Sequence, residues 1–143
     1  MAETGTDEYS FSWSNKRLTA EEYRALGEAY IGGIRSGYFD IVAHPDRIFQ
    51  RRIRWEPDMQ EIAERLVEAA AEAYAPLEIN MSSMAYVGLF WPEFWRLVPK
   101  GYPVLVGVDA HSVYEMTRGF YDAEECWKKI EETGDYSKSC LGR

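Results

Sequence analysis

The stretch Tyr102-Pro103-Val104-Leu105-Val106-Gly107-Val108-Asp109-Ala110-His111-Ser112 decides how this chain reads. Val104 to Val108 form a continuous apolar run with no polar face. Strands of that kind are covered on both sides, as in parallel sheets. Asp109 ends the run, and His111 stands two residues further on. If the strand stays extended there, both side chains leave the same face. A carboxylate and an imidazole projecting together are suitable ligands for Zn, Mn or Fe.

Upstream, Leu77-Glu78-Ile79-Asn80 follows Pro76 and reads as a second short strand. Tyr38-Phe39-Asp40-Ile41-Val42-Ala43, stopped by His44-Pro45, reads as a third, buried one. Thr19-Ala20-Glu21-Glu22 fits the capping box that opens a helix. Tyr23, Leu26, Tyr30 and Ile34 follow at helical spacing with Ile31 on the same side, and Gly37 sits where a left-handed residue would end the helix. This predicts a helix over 19–36. Pro57 opens another, carrying Met59, Ile62, Ala63, Leu66, Val67, Ala70 and Ala73, and Pro76 closes it. Pro92 starts a short helix reaching Val98, and one or two helices run on to Ile130. Residues 1–18 read as an N-terminal arm bearing Tyr9, Phe11 and Trp13, 19–132 as the folded domain, and 133–143 as a polar tail. The order α-β-α-β-α-β-α predicts an α/β fold with about three parallel strands, right-handed crossovers and flanking helices. Such an open sheet has two edges that need cover.

The chain has 143 residues, which suits one domain. Apolar residues make up 46% and charged residues 28%, the balance of a soluble globular chain rather than a disordered one. No apolar run approaches the ~20 residues that a membrane-spanning helix needs. Met1 to Glu8 is acidic, lacks an apolar core and does not read as a secretory signal, so a cytoplasmic location is expected. Sixteen Lys and Arg against twenty-four Asp and Glu give −8, which disfavours nucleic acid as a partner; no membrane is expected either. The two cysteines, Cys126 and Cys140, read as reduced thiols and not as a zinc pattern. Cys126 reads as a small packing residue.

The only histidines are His44 and His111, so any histidine-based metal site must use one or both. His44, Asn80, Asp109 and His111 each fall at the C-terminal end of a predicted strand, the rim where α/β sheets and barrels bind ligands. His44, Asp109 and His111 are the minimum set for one zinc with an open position for water. A D-x-H tripeptide alone is a weak signal; the placement of both histidines at strand ends singles this one out. Arg47, three residues after His44, is either a clamp for an anionic oxygen pair by a two-pronged contact or part of a solvated loop paired with surface carboxylates. Arg51, Arg52 and Arg54 read as a solvated loop paired with surface carboxylates. Glu78, a charge within a buried strand, either supports a metal or is simply paired. Phe90-Trp91-Pro92-Glu93-Phe94-Trp95 reads as core or as a subunit interface.

Gly37 to Asp46, then Leu77 to Asn80, then Tyr102 to Ser112 resemble, in order, the last motifs of the polymerase and histidinol phosphatase (PHP) family, in particular its histidinol-phosphatase-like branch. The resemblance covers about Ser10 to Glu115 and rests on the H-P-D and D-A-H-S motifs together. It implies part of a distorted (β/α) barrel and a metal-dependent phosphoester hydrolase of histidine biosynthesis, releasing phosphate from histidinol phosphate by attack of a metal-bound hydroxide. On it, His44, Asp109 and His111 would be metal ligands, with Asp109 and His111 catalytic. Arg47 and Asn80 would meet a phosphorylated small-molecule substrate, and Asp46, Glu78 and Ser112 would support them. The cofactors implied are divalent ions (Zn, Mn or Fe), multinuclear in a complete domain. Family members also carry an earlier H-x-H motif, further histidines and a bridging glutamate. Here the first histidine is His44, so the match is to the family's C-terminal half. The alternative expectation is a non-catalytic half-domain that folds as a homodimer or against a complementary N-terminal half. A module serving a DNA polymerase, as in some members, fits the acidic charge least.

Overall fold

The computed structural model describes residues 18–117 and 122–140. The chain is mixed α/β with a small parallel sheet. The expected arm, apart from Leu18, lies outside the described residues.

Helix α1 spans Ala20–Arg35. Its capping box is complete: the Thr19 N–H donates to Glu22 Oε2 (2.7 Å) and the Glu22 N–H donates to Thr19 Oγ1 (3.2 Å). Gly37, at φ +73°, ends the helix in the left-handed conformation that glycine adopts without steric cost. Helix α2 spans Pro57–Glu72 and buries Met59, Ile62, Ala63, Leu66 and Val67. The two helices cross closely at Gly27, where a Cβ would lie 2.7 Å from Ile62 Cγ2. The face of α1 that enters the core is Tyr23, Gly27, Ile31 and Ile34. Leu26 and Tyr30, expected beside them, are only partly buried.

Strand β1 is Leu77–Asn80, and β2 is Pro103–Gly107. They pair in parallel, with Leu77 opposite Val104 and Asn80 opposite Gly107. The third strand is not the one expected. Tyr38 to Ala43 makes only a single parallel bridge, Val42 to Leu77, through the Val42 N–H to Pro76 O (3.0 Å) and the Glu78 N–H to Val42 O (2.8 Å). Tyr38 and Phe39 are exposed, because the left-handed turn at Gly37 carries the chain over the surface before it reaches the sheet. The third strand, β3, is Ser137–Cys140, from the segment read as a polar tail. It pairs in parallel with the far edge of β2, with Pro103 opposite Ser137. An open edge of N–H and C=O groups accepts any extended backbone, so a polar strand pairs there without apolar periodicity.

Short helix α3 (Pro92–Leu97) buries Phe94 and Trp95 fully, which makes the aromatic stretch core. Helix α4 spans Val113–Thr117, and α5 spans Ala123–Thr133. Cys126 and Ile130 of α5 join the core, and Tyr136 donates its buried hydroxyl to Trp95 O (2.7 Å). The core is one cluster running from α1 and α2 across β1 and β2 to α3 and α5. No helix among the described residues is long and apolar enough to cross a membrane.

Candidate functional site

One end of the sheet opens on a cavity of about 1010 Å³. Part of the lining is apolar and comes from Leu26 and Ile34 of α1 with Phe39 and Ile41. Its polar end holds His44, Arg47, Asp109, His111 and Glu115, and the Tyr30 phenol of α1 lies within reach of the Arg47 charge. The strand-end residues His44, Asp109 and His111 therefore share one cavity.

The route to that convergence differs from the expected one. Strand β2 stops at Gly107, and Asp109 turns to φ +51°, so Asp109 and His111 do not leave one face of an extended strand. His44 also sits at positive φ, 29°, as the chain enters a 3₁₀ turn over Pro45–Phe49. Non-glycine residues held in this region are strained, and such strain collects at functional sites. The Glu78 carboxylate holds His44 in place by accepting its backbone N–H at Oε2 (3.1 Å). Glu78 reaches it by lying across Gly107, where any Cβ would collide with its carboxylate. This is the pairing role expected as one of two for Glu78.

Arg47 stands at the centre of the polar end. Its Nη1 donates to Asp109 Oδ2 (2.8 Å), and its Nη2 donates to Ser83 Oγ (2.7 Å). Burial, and next the Arg47 charge, hold the His44 pKa below its ordinary 6.5, while Glu78 and Asp109 pull the other way. His44 is accordingly neutral at pH 7. Its Nδ1 and the Arg47 Nε are both buried without a hydrogen-bond partner among the described residues. His111 is exposed, with its backbone N–H donating to Glu115 Oε2 (2.5 Å) and its Nδ1 3.8 Å from the same oxygen.

These donors do not fit a metal centre of the kind the resemblance implies. Among the described residues, no group of three or more His, Cys, Asp or Glu side chains could hold a metal ion. Asp109 is turned onto Arg47, and His111 is turned toward Glu115. A guanidinium thus already neutralises the carboxylate that would have to face a cation.

Other expected residues stand elsewhere. Asn80 is buried away from the cavity walls, its Oδ1 accepting from Ser82 Oγ (2.6 Å) and the Ser83 N–H (3.2 Å). It shapes the turn that presents Ser83 and is not placed to touch a substrate. Asp46 is buried under α3, not at the rim, and its Oδ2 accepts from the Trp91 N–H (2.9 Å) and Trp95 Nε1–H (3.0 Å). It anchors the turn that carries His44 and Arg47. Ser112 Oγ accepts from the Glu115 N–H (3.1 Å) at the start of α4. Arg52 pairs with Glu56 and Asp58, and Arg54 with Glu56, as expected, but the Arg52 side chain is not solvated: it is largely buried over the Tyr23 ring. Ser83, Glu115 and Tyr30 were missed. For Glu115 a signal existed, since Ser112-Val113-Tyr114-Glu115 is a second S-x-x-E pattern. Neither the family models nor the curated proteins compared with this chain match it.

Proposed function

We propose that this chain is the phosphomonoester-binding rim of a metal-dependent phosphoester hydrolase of the PHP type, part of a (β/α) barrel, acting in the cytoplasm and not sufficient for the reaction alone. The supporting observation is the gathering of His44, Arg47, Asp109 and His111 at one end of one cavity. Arg47 is the anion-binding group: a guanidinium has five N–H donors, and its bonds to Asp109 and Ser83 orient the fork without using all of them. Asp109 and Glu115 at the same end oppose an anion, so affinity is set low. What hydrolysis still needs would come from a second chain, a complementary N-terminal half.

Titration of the chain with phenyl phosphate, followed by NMR, tests this. Arg47→Ala abolishes binding, and Arg47→Lys, which keeps the charge but loses the fork, weakens it. Asp109→Asn frees the guanidinium and removes an opposing charge, which tightens binding by about tenfold. Unchanged affinity in Arg47→Ala, or weaker binding in Asp109→Asn, refutes the assignment. Phosphate release by the wild-type chain alone with Mn²⁺ or Zn²⁺ refutes the claim that it is insufficient.

A further inference from the structure

Resting on the reading that the polar end takes a phosphomonoester, we propose that the remaining cavity selects an ester whose alcohol part is an uncharged aliphatic or aromatic group lying along α1. A bare phosphate needs little of the cavity's 1010 Å³ or so. Pockets of this order hold ligands of drug size, with an apolar lining and a few polar groups that fix orientation. Leu26, Ile34, Phe39 and Ile41 carry no polar side-chain atom, while Arg47 and Asp109 pair with each other and the Tyr30 phenol lies within reach of the Arg47 charge.

Gly33 is an independent observation. It lies inside α1 and lines the cavity. Glycine weakens a helix interior relative to alanine and so needs a reason there. Gly27 has one, the contact with Ile62; a Cβ at Gly33 would meet only Phe39 Cε2, at an ordinary 3.7 Å. Packing therefore does not require glycine at 33, nor at its neighbour Gly32, where a Cβ would meet nothing; of the two, only Gly33 lines the cavity. What a larger side chain would take is cavity space, so the glycine keeps the apolar chamber open beside Tyr30 and Ile34.

NMR titrations of the wild-type chain with inorganic phosphate, propyl phosphate, hexyl phosphate and phenyl phosphate, repeated on Gly33→Leu, test the proposal. Each methylene leaving water tightens binding by about fourfold, so hexyl phosphate, with three more, binds roughly sixtyfold tighter than propyl phosphate. Phenyl phosphate also exceeds inorganic phosphate. Gly33→Leu folds at least as stably, keeps the affinity for inorganic phosphate and loses the gain with chain length. If Gly33→Leu does not fold, Leu26→Gln on the same wall takes its place, with the hexyl gain reduced. Equal affinity for inorganic and hexyl phosphate, or a full gain retained in Gly33→Leu, overturns this inference and leaves the phosphate reading standing. No affinity for any of the four overturns both. A wild-type dimer that becomes monomeric in Gly33→Leu, with no ligand competing, places a second copy in the cavity and also overturns it.

Discussion

Asp46→Asn should make the chain more stable at pH 8 and leave it unchanged near pH 4. Asp46 is 1% exposed, and burial raises its pKa from 3.8 to about 7, against the downward pull of the Trp91 and Trp95 donors and of Arg47. Below pH 3.8 the carboxyl is protonated in both folded and unfolded chains and has no effect on their balance. Between 3.8 and about 7 the unfolded chain releases the proton while the folded chain keeps it, so stability falls as pH rises through that window. Above about pH 7 the loss is complete. At about 1.4 kcal/mol per pH step, the gap amounts to about 4 kcal/mol. That is a large share of the ~5–15 kcal/mol that holds a domain folded. An asparagine oxygen can take the place of Oδ2, accept the same two N–H groups and never ionise. Urea unfolding followed by tryptophan fluorescence, at steps from pH 4.5 to 8.5, reads the effect directly. The two proteins should differ by only about 1 kcal/mol at pH 4.5 and separate to about 4 kcal/mol at pH 8. A difference that does not change with pH, or an Asp46→Asn protein less stable at pH 8, would show that the carboxyl is ionised and satisfied where it lies.

Gly27→Ala forces a Cβ to within 2.7 Å of Ile62 Cγ2, and should cost about 1–3 kcal/mol in denaturant unfolding; an unchanged midpoint would mean that α1 and α2 can separate freely. Tyr136→Phe removes one of two donors to the Trp95 carbonyl, the Val98 N–H (3.3 Å) remaining, and should cost about 1 kcal/mol. In the wild type the same burial, which pushes the Tyr136 pKa to about 12, should keep this phenol from ionising at pH 11 by ultraviolet absorbance. The His44 imidazole should titrate below its ordinary 6.5 by NMR, and Arg47→Gln should move the midpoint up by removing the second-largest of the lowering influences. A downward move would place the Arg47 charge away from the ring.

Helix α1 was legible almost to the residue. Its start is written in four consecutive positions, Thr19 to Glu22, and its end in Gly37. Strand β1 and the apolar part of β2 were legible because a short hydrophobic run between Pro or Gly and a polar residue has few other uses in a small α/β chain. The strand-end residues His44, Asp109 and His111 could be named for the same reason, and they do share a cavity.

Contacts distant in sequence were out of reach. Arg47 and Asp109 lie sixty-two positions apart, and nothing in either neighbourhood says that one will take the charge the other offers. The resemblance made Asp46 a supporting residue beside the metal ligands, but the turn at His44 sends it inward to two tryptophan donors forty-five and forty-nine positions away. The pairing of Ser137–Cys140 with β2 depends on an open edge and not on any pattern in its own side chains, since backbone hydrogen bonds are the same for every residue but proline. Local chemistry sets where elements begin and end. Which charges meet, and which strand takes an edge, follows from packing that brings remote segments together.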